Sequence, residues 1–308
     1  FIKKGEAKIT LPEYEKDCPF CPGNETMSKE ETFRITRNGK WQIRVIPNKF
    51  PALSRNGKRE RKVKGIERCL SGVGIHEVVI ETPLHNTTTA LLNLEDISDI
   101  LKTYRQRYND ILNDKRIEMM IIFKNHGSAA GTSLIHPHSQ IVGTPVVPSQ
   151  IRERLYNAQK YFDENLECVY CRMLSEEIKN RIRIVVETKE FVSFIPYAAL
   201  SPFHCWILPK KHASCFGEIT DSEISDLSLH LKTLLSKYYY GLDNPDFNYI
   251  IRSCPADLKK MDHFHWYISI VPRLTKAAGF ELGSGMFINT SLPENDAKFL
   301  REVRVNKG

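Results

Sequence analysis

Apolar residues recur at helical spacing in two long windows of the chain. Ile97, Ile100, Leu101, Tyr104, Tyr108 and Ile111 form one stripe, and Ile224, Leu227, Leu231, Leu234 and Tyr238 form the other. Each spacing predicts an amphipathic helix with one buried face. Thr220-Asp-Ser-Glu223 opens the second helix as a capping box, in which the two side chains satisfy free amides of the first turn. Around these windows lie short runs rich in β-branched and aromatic residues, at 41–47, 76–82, 119–124, 183–187, 191–195, 204–209 and 248–252. Such runs predict strands. A further amphipathic stretch over 151–162, with Leu155, Tyr156 and Tyr161, predicts a connecting helix. The strands cluster between few helices, and none is followed by the glycine-rich turn of a doubly wound sheet. That combination favours mainly antiparallel sheets and an α+β fold.

The order of these elements is written twice. In the first half Cys18/Cys21 lead to strands, His85, a helix, another strand and the pair His136/His138. In the second, Cys168/Cys171 lead to strands, His212, a helix, another strand and the pair His263/His265. From His85 to His136 is 51 residues, and from His212 to His265 is 53. The regularity predicts two duplicated α+β halves, 1–148 and 149–308, joined near the proline-bearing segment 142–148.

Composition narrows the function classes. A chain of 308 residues with 41% hydrophobic and 26% charged residues is globular and long enough to bury a sizeable core. No apolar run approaches the roughly 18 residues needed to span a bilayer, so no membrane partner is expected. The net charge of +7 suits an anionic ligand but is too dispersed for a nucleic-acid binder. Eight cysteines, with no secretory pattern, indicate a reduced cytoplasmic protein with metal-binding thiols. Cys205, inside an apolar run, reads as a buried free thiol.

Cys-x-x-Cys delivers two sulfurs from one tight turn, and zinc takes four nitrogen or sulfur ligands in a tetrahedron. Cys18, Cys21, His85 and one of His136/His138 predict one zinc site. Cys168, Cys171, His212 and one of His263/His265 predict a second. Four protein ligands leave no open coordination position, so both sites read as structural. A redox pair would need a βαβ context that is absent.

Residues 125–140, Asn-His-Gly-Ser-Ala-Ala-Gly-Thr-Ser-Leu-Ile-His-Pro-His-Ser-Gln, carry the densest chemistry. Gly127 and Gly131 let backbone approach a ligand, Thr132 and Ser133 add hydroxyls, and consecutive amides can hold a phosphate. On a strand, Pro137 predicts an edge. Period two would put His136 and His138 on one face, one for metal and one for substrate. Spacing alone leaves a simple turn, with histidines serving only metal, as the alternative.

His-Pro-His-Ser-Gln140, preceded by Asn-His-Gly and the small-residue loop, resembles the active-site signature of the galactose-1-phosphate uridylyltransferase family, a branch of the histidine-triad superfamily. The resemblance runs from Cys18 to about Val303. It includes Ile46-Pro-Asn-Lys-Phe-Pro-Ala52, Ile207-Leu-Pro-Lys-Lys-His212 and Phe280-Glu-Leu-Gly-Ser-Gly285, and its pattern is nearest the plant-type branch with ADP-glucose phosphorylase activity. It implies two histidine-triad-like halves and a transfer through His138. The imidazole would attack the α-phosphorus of a nucleotide sugar, expel a sugar 1-phosphate, and pass the nucleotidyl group to a second sugar 1-phosphate in ping-pong order. A backbone carbonyl on its other nitrogen would set the tautomer. Gln140 would stabilise the transferred phosphoryl group. Gly131, Thr132 and Ser133 would line the phosphates, Asn125 would touch substrate, and Asn48 with Phe50 would hold base and ribose. Phe280 and Glu281 fall in the segment associated with the sugar. The resemblance also implies zinc on Cys18, Cys21, His85 and His136, a second zinc on Cys168, Cys171, His212 and His265, and a homodimer in which the C-terminal segment reaches the partner's site. Aligning the internal repeat on Pro145 and Pro272 points instead to His263 for the second zinc.

Two departures stand out. Ser284 and Gly285 occupy the place of a Tyr-Glu pair in the better-known uridylyltransferases, and only Lys3 and Lys4 stand where an arginine-bearing strand precedes the first cysteine. The leading expectation is uridylyl exchange between UDP-glucose and galactose 1-phosphate. Adenylyl transfer as in ADP-glucose phosphorylase is the alternative, and a non-catalytic zinc-stabilised nucleotide binder is a remote third. His126 and His204 read as surface or packing residues, and His76 and His230 as structural.

Overall fold

The computed structural model describes residues 11–258, 260–276 and 278–305; Lys3 and Lys4 lie outside them. In chain order the first half holds β1 (Phe33–Arg37), β2 (Lys40–Pro47), β3 (Arg61–Lys64), β4 (Glu67–Leu70), β5 (Ile75–Ile80), α1 (Leu94–Ile111), β6 (Met119–His126) and β7 (His138–Thr144). The second holds α2 (Ser149–Asn165), α3 (Val169–Asn180), β8 (Ile184–Glu187), β9 (Phe191–Phe194), β10 (Cys205–Pro209), α4 (Asp221–Gly241), β11 (Phe247–Arg252), β12 (Tyr267–Pro272), α5 (Gly279–Ser284) and α6 (Pro293–Glu302).

Apart from the β3–β4 hairpin, the strands form one ten-stranded sheet in the order β1-β2-β5-β7-β6-β11-β12-β10-β9-β8. Every neighbouring pair is antiparallel, as the α+β reading expects. The order is mirrored about the β6–β11 contact, where the register runs from Phe247 opposite His126 to Ile251 opposite Ile122. The two written copies thus appear as two half-sheets fused edge to edge.

Helices α1 and α4 cover one face. The apolar stripes read from the sequence are buried there and share one core with Ile122, Ile141, Tyr249 and Ile251 from the sheet. The capping box forms: Glu223 N–H donates to Thr220 Oγ1 (3.2 Å) and Thr220 N–H to Glu223 Oε2 (2.8 Å). Cys205 is a fully buried free thiol. The connecting helix over 151–162 is the middle of α2.

Pro137 corrects one expectation. Strand β7 lies between β5 and β6 and is not an edge. The proline precedes its first residue, and its carbonyl accepts a hydrogen bond from Glu81 N–H (3.1 Å). Its missing donor therefore falls outside the ladder and costs nothing.

Candidate active site and metal centres

The first cysteine pair sits on a tight turn. Cys21 N–H donates to the Cys18 carbonyl (3.2 Å), and Asn24 Nδ2 clamps the same carbonyl (2.8 Å) and that of Lys16 (2.9 Å). Cys21 Sγ stands 3.4 Å from His85 Nδ1 and 3.7 Å from His136 Nδ1, with Cys18 Sγ 3.8 Å from His136 Nδ1. A tetrahedral zinc with bonds near 2.3 Å to sulfur and 2.05 Å to nitrogen would put such atoms about 3.6 Å apart. All four side chains are buried, and their donor atoms lie within 4.8 Å of one another. His136 Nε2 faces the Thr82 carbonyl at 2.8 Å, which puts the proton there and turns the Nδ1 lone pair to the cluster. The donor set fits zinc.

In the second half, Cys168, Cys171 and His212 gather likewise, with Cys171 Sγ 3.2 Å from His212 Nδ1. His265 stands outside that group of three. Its ring centroid is 5.3 Å from that of His212, and its buried Nε2 has no hydrogen-bond partner among the described residues. Such an orphaned nitrogen, on a ring packed beside His212, fits a fourth ligand. His263 is partly exposed and packs on Phe162 instead. Strand β7 starts two residues after His136, and β12 two residues after His265. That register makes His265 the counterpart of His136, two residues away from the proline-based alignment.

It also makes Tyr267 the counterpart of His138. Tyr267 is buried against Trp206 (ring centroids 4.5 Å) and Tyr170 (5.6 Å), which fills the corresponding space. At this position the second half therefore presents no imidazole.

His138, the first residue of β7, lines a cleft of about 530 Å³ with Phe20, Asn48, Phe50, Ser133 and Gln140. Its Nδ1 bonds the His136 carbonyl at 2.8 Å. A carbonyl only accepts, so Nδ1 carries the proton and Nε2 keeps its lone pair. Burial, reinforced by the nearby Lys124 charge, lowers the imidazole's pKa below its usual 6.5, although the carbonyl bond and Glu81 pull the other way. The ring is therefore neutral at pH 7, the form a nucleophile needs. Phe20, between the two cysteines, packs edge-on against it with centroids 5.5 Å apart.

Gln140 is two residues along the same face. Its Oε1 is 2.7 Å from His76 Nε2 and 3.5 Å from Asn48 Nδ2. Asn48 Oδ1 accepts from Phe50 N–H (2.9 Å), while the Phe50 ring is largely exposed at the rim. Gly127 and Gly131 adopt φ of +83° and +88° and turn the loop that brings Ser133 to the cleft. Thr132 spends its hydroxyl on the Leu134 carbonyl (2.9 Å). Asn125 and Glu281 line a neighbouring cavity of about 600 Å³ across β6, β11 and the C-terminal segment. There Asn125 Oδ1 accepts from Asn248 Nδ2 (2.8 Å). Phe280 is half exposed on α5. So Asn48, Phe50, Ser133, His138 and Gln140 converge, whereas Asn125, Phe280 and Glu281 stand apart in this single chain.

The cleft also holds residues that sequence reasoning missed. Lys29, whose Nζ donates to the Asn48 carbonyl (3.1 Å), and Lys49 bring positive charge to the lining. Lys49 lies within the quoted 46–52 segment and was available as a signal; nothing in the sequence marks Lys29.

Family models described as galactose-1-phosphate uridyl transferase, N-terminal domain and C-terminal domain, match residues 2–148 and 153–304. A relative named ADP-glucose phosphorylase, from Arabidopsis thaliana, is 39% identical over 291 residues, covering 93% of this chain and 82% of its own. One named galactose-1-phosphate uridylyltransferase, from Thermotoga maritima, is 29% identical over 299 residues, covering 94% and 90%. A crystal structure of an ADP-glucose phosphorylase from Arabidopsis thaliana with bound ADP-glucose has a TM-score of 0.85 at 36% identity, covering 96% of this chain and 92% of that one.

Proposed function

The chain belongs to the galactose-1-phosphate uridyl transferase family, and from that premise we propose that it moves an adenylyl group from ADP-glucose to inorganic phosphate through His138. The observation that carries the transfer is the neutral, tautomer-locked imidazole in the cleft. Its Nε2 lone pair forms a bond to the α-phosphorus as the bond from that phosphorus to the bridging oxygen breaks. Glucose 1-phosphate leaves with the electron pair. A phosphate oxygen then attacks the same phosphorus from the opposite side, the P–N bond breaks, and ADP and neutral histidine result. The Gln140 amide and Lys49 would stabilise charge on the non-bridging oxygens.

The adenine reading, the alternative at the level of sequence, is now preferred. The relative named for it is 39% identical against 29% for the uridylyltransferase, and Ser284 with Gly285 depart from the uridylyltransferase pattern. Asn125, Gly131 and Thr132 would complete the substrate contacts, with Phe280 and Glu281 acting across a homodimer. In support of that dimer, Leu282, Met286, Phe287 and Ile288 are each more than half exposed. Cys18, Cys21, His85 and His136 would hold one structural zinc, and Cys168, Cys171, His212 and His265 another. The zinc supplies rigidity. No helix of the described residues is long and apolar enough to cross a membrane, and the free cysteines support a reducing, cytoplasmic setting.

The test is a paired assay. ADP-glucose with phosphate should yield glucose 1-phosphate and ADP, faster than UDP-glucose and galactose 1-phosphate exchange. The reverse preference would restore the uridylyl reading, and release of free nucleoside monophosphate without acceptor would make the protein a hydrolase.

A further inference from the structure

His76 lies in β5, diagonal to Gln140 across the ladder: His76 pairs with Val142, and Val78 with Gln140. Diagonal neighbours on one sheet face are within reach of long side chains. The ring is buried and wired at both nitrogens. Ala52 N–H donates to His76 Nδ1 (3.0 Å). A backbone amide can only donate, so Nδ1 carries no proton and the ring proton is on Nε2. That Nε2–H points at Gln140 Oε1, 2.7 Å away. Asn48, whose oxygen is already committed to Phe50 N–H, turns its Nδ2 toward the same Gln140 oxygen (3.5 Å). That nitrogen also lies 3.0 Å from His76 Nε2, where two donors stand side by side and no bond forms. Two donors thus converge on Oε1. The Gln140 amide nitrogen forms no hydrogen bond among the described residues, and its side chain lines the cleft beside His138.

A glutamine carboxamide has two nearly isosteric orientations. One offers the cleft two N–H donors and the other a carbonyl oxygen, which would repel a phosphate. We propose that His76 is a positioning residue that locks the Gln140 carboxamide with its N–H₂ toward the phosphates. It also ties that orientation to the nucleoside-binding loop, because its own carbonyl accepts from Asn48 N–H (2.9 Å) and its Nδ1 from Ala52. The Ala52 amide sets the tautomer, the tautomer sets the amide, and the amide faces the anion.

The proposal deepens the nucleotide-transfer reading and rests on it for the identity of the anion. Its test is a double-mutant cycle in the full chain, read as dissociation constants for ADP and UDP by calorimetry and as single-turnover labelling by each nucleotide sugar. His76→Ala should weaken diphosphate binding about fivefold to tenfold, the scale of one ordinary hydrogen bond lost or misoriented. In a Gln140→Ala background the same substitution should change binding less than twofold. His76→Gln, which keeps a donor, should recover most of the loss, and melting curves check that each variant folds. Equal losses in both backgrounds, or no recovery with glutamine, would overturn the role. Absence of labelling in the parent protein would refute the covalent reading, while the binding cycle would still decide His76.

Discussion

Directly behind the strand that carries His138, Lys124 and Glu81 form an almost wholly buried ion pair. Tyr104 Oη stands 2.9 Å from Glu81 Oε1 and 2.7 Å from Ser139 Oγ and gives its one proton to the carboxylate, and Lys124 Nζ reaches the His138 carbonyl at 3.4 Å. Burial alone would raise the Glu81 pKa. The Lys124 charge and the hydrogen bonds from Lys124, Tyr104 and Ser139 outweigh it and hold the carboxyl below its usual 4.5. Its contribution to stability is therefore complete above pH 4.5 and fades as pH falls through the lowered native value. Lys124→Met removes the counter-charge and should destabilise the protein by about 3–5 kcal/mol at pH 7, measured by urea denaturation. With burial then opposed only by the hydrogen bonds from Tyr104 and Ser139, the Glu81 pKa should rise above 4.5, so the deficit should shrink between pH 7 and pH 5. A deficit that does not change with pH would contradict the pair's role. Neither partner was marked in the sequence, where Lys124 reads as the polar end of one strand run, 119–124, and Glu81 as a polar position inside another, 76–82.

At the scale of elements, the loop between β6 and β7 depends on Gly127. It combines a φ of +83° with a position where a Cβ would overlap the Asp246 carboxylate, which accepts from Ala129 N–H (2.6 Å). Gly127→Ala should cost at least about 1 kcal/mol in thermal denaturation and slow nucleotide labelling, because Ser133 shifts with the loop. Unchanged labelling would detach the loop from the site. The cysteine turns predict a metal content. Elemental analysis should find two zinc ions per chain, with Cys18→Ala and Cys171→Ala each retaining one; a single zinc in the parent chain would refute the second centre. The amphipathic helices were legible because one buried stripe repeats over many turns, and the capping box because its chemistry is local. Helix α3 was hidden: Cys168 is its N-cap residue, so a Cys-x-x-Cys read as a turn also begins a helix. Strands β1, β3 and β4 escaped because they are largely exposed and polar, so no apolar alternation announces them. Within the site, spacing narrowed the metal ligands to alternatives and the family resemblance singled out His138, but neither marked Lys29 or the bond from His76 to Gln140, which depends on long-range strand pairing.

Across the whole molecule, the duplication read from the cysteine and histidine order is visible as a sheet mirrored about β6 and β11. The continuity of that sheet was not legible, since nothing local sets which edges of two half-sheets meet. Cysteine–histidine groups that could hold a metal recur in both halves, whereas the counterpart of His138 in β7 is Tyr267 in β12. On the proposed reading, each chain would hold two metal centres and one reactive imidazole. Intact-protein mass spectrometry after brief exposure to ADP-glucose, without phosphate, therefore tests the central claim most directly. The account predicts a mass gain of one adenylyl group per chain, lost on adding phosphate and absent in His138→Ala. An adduct that persists in His138→Ala, or product formation by that variant at the parent rate, would contradict it.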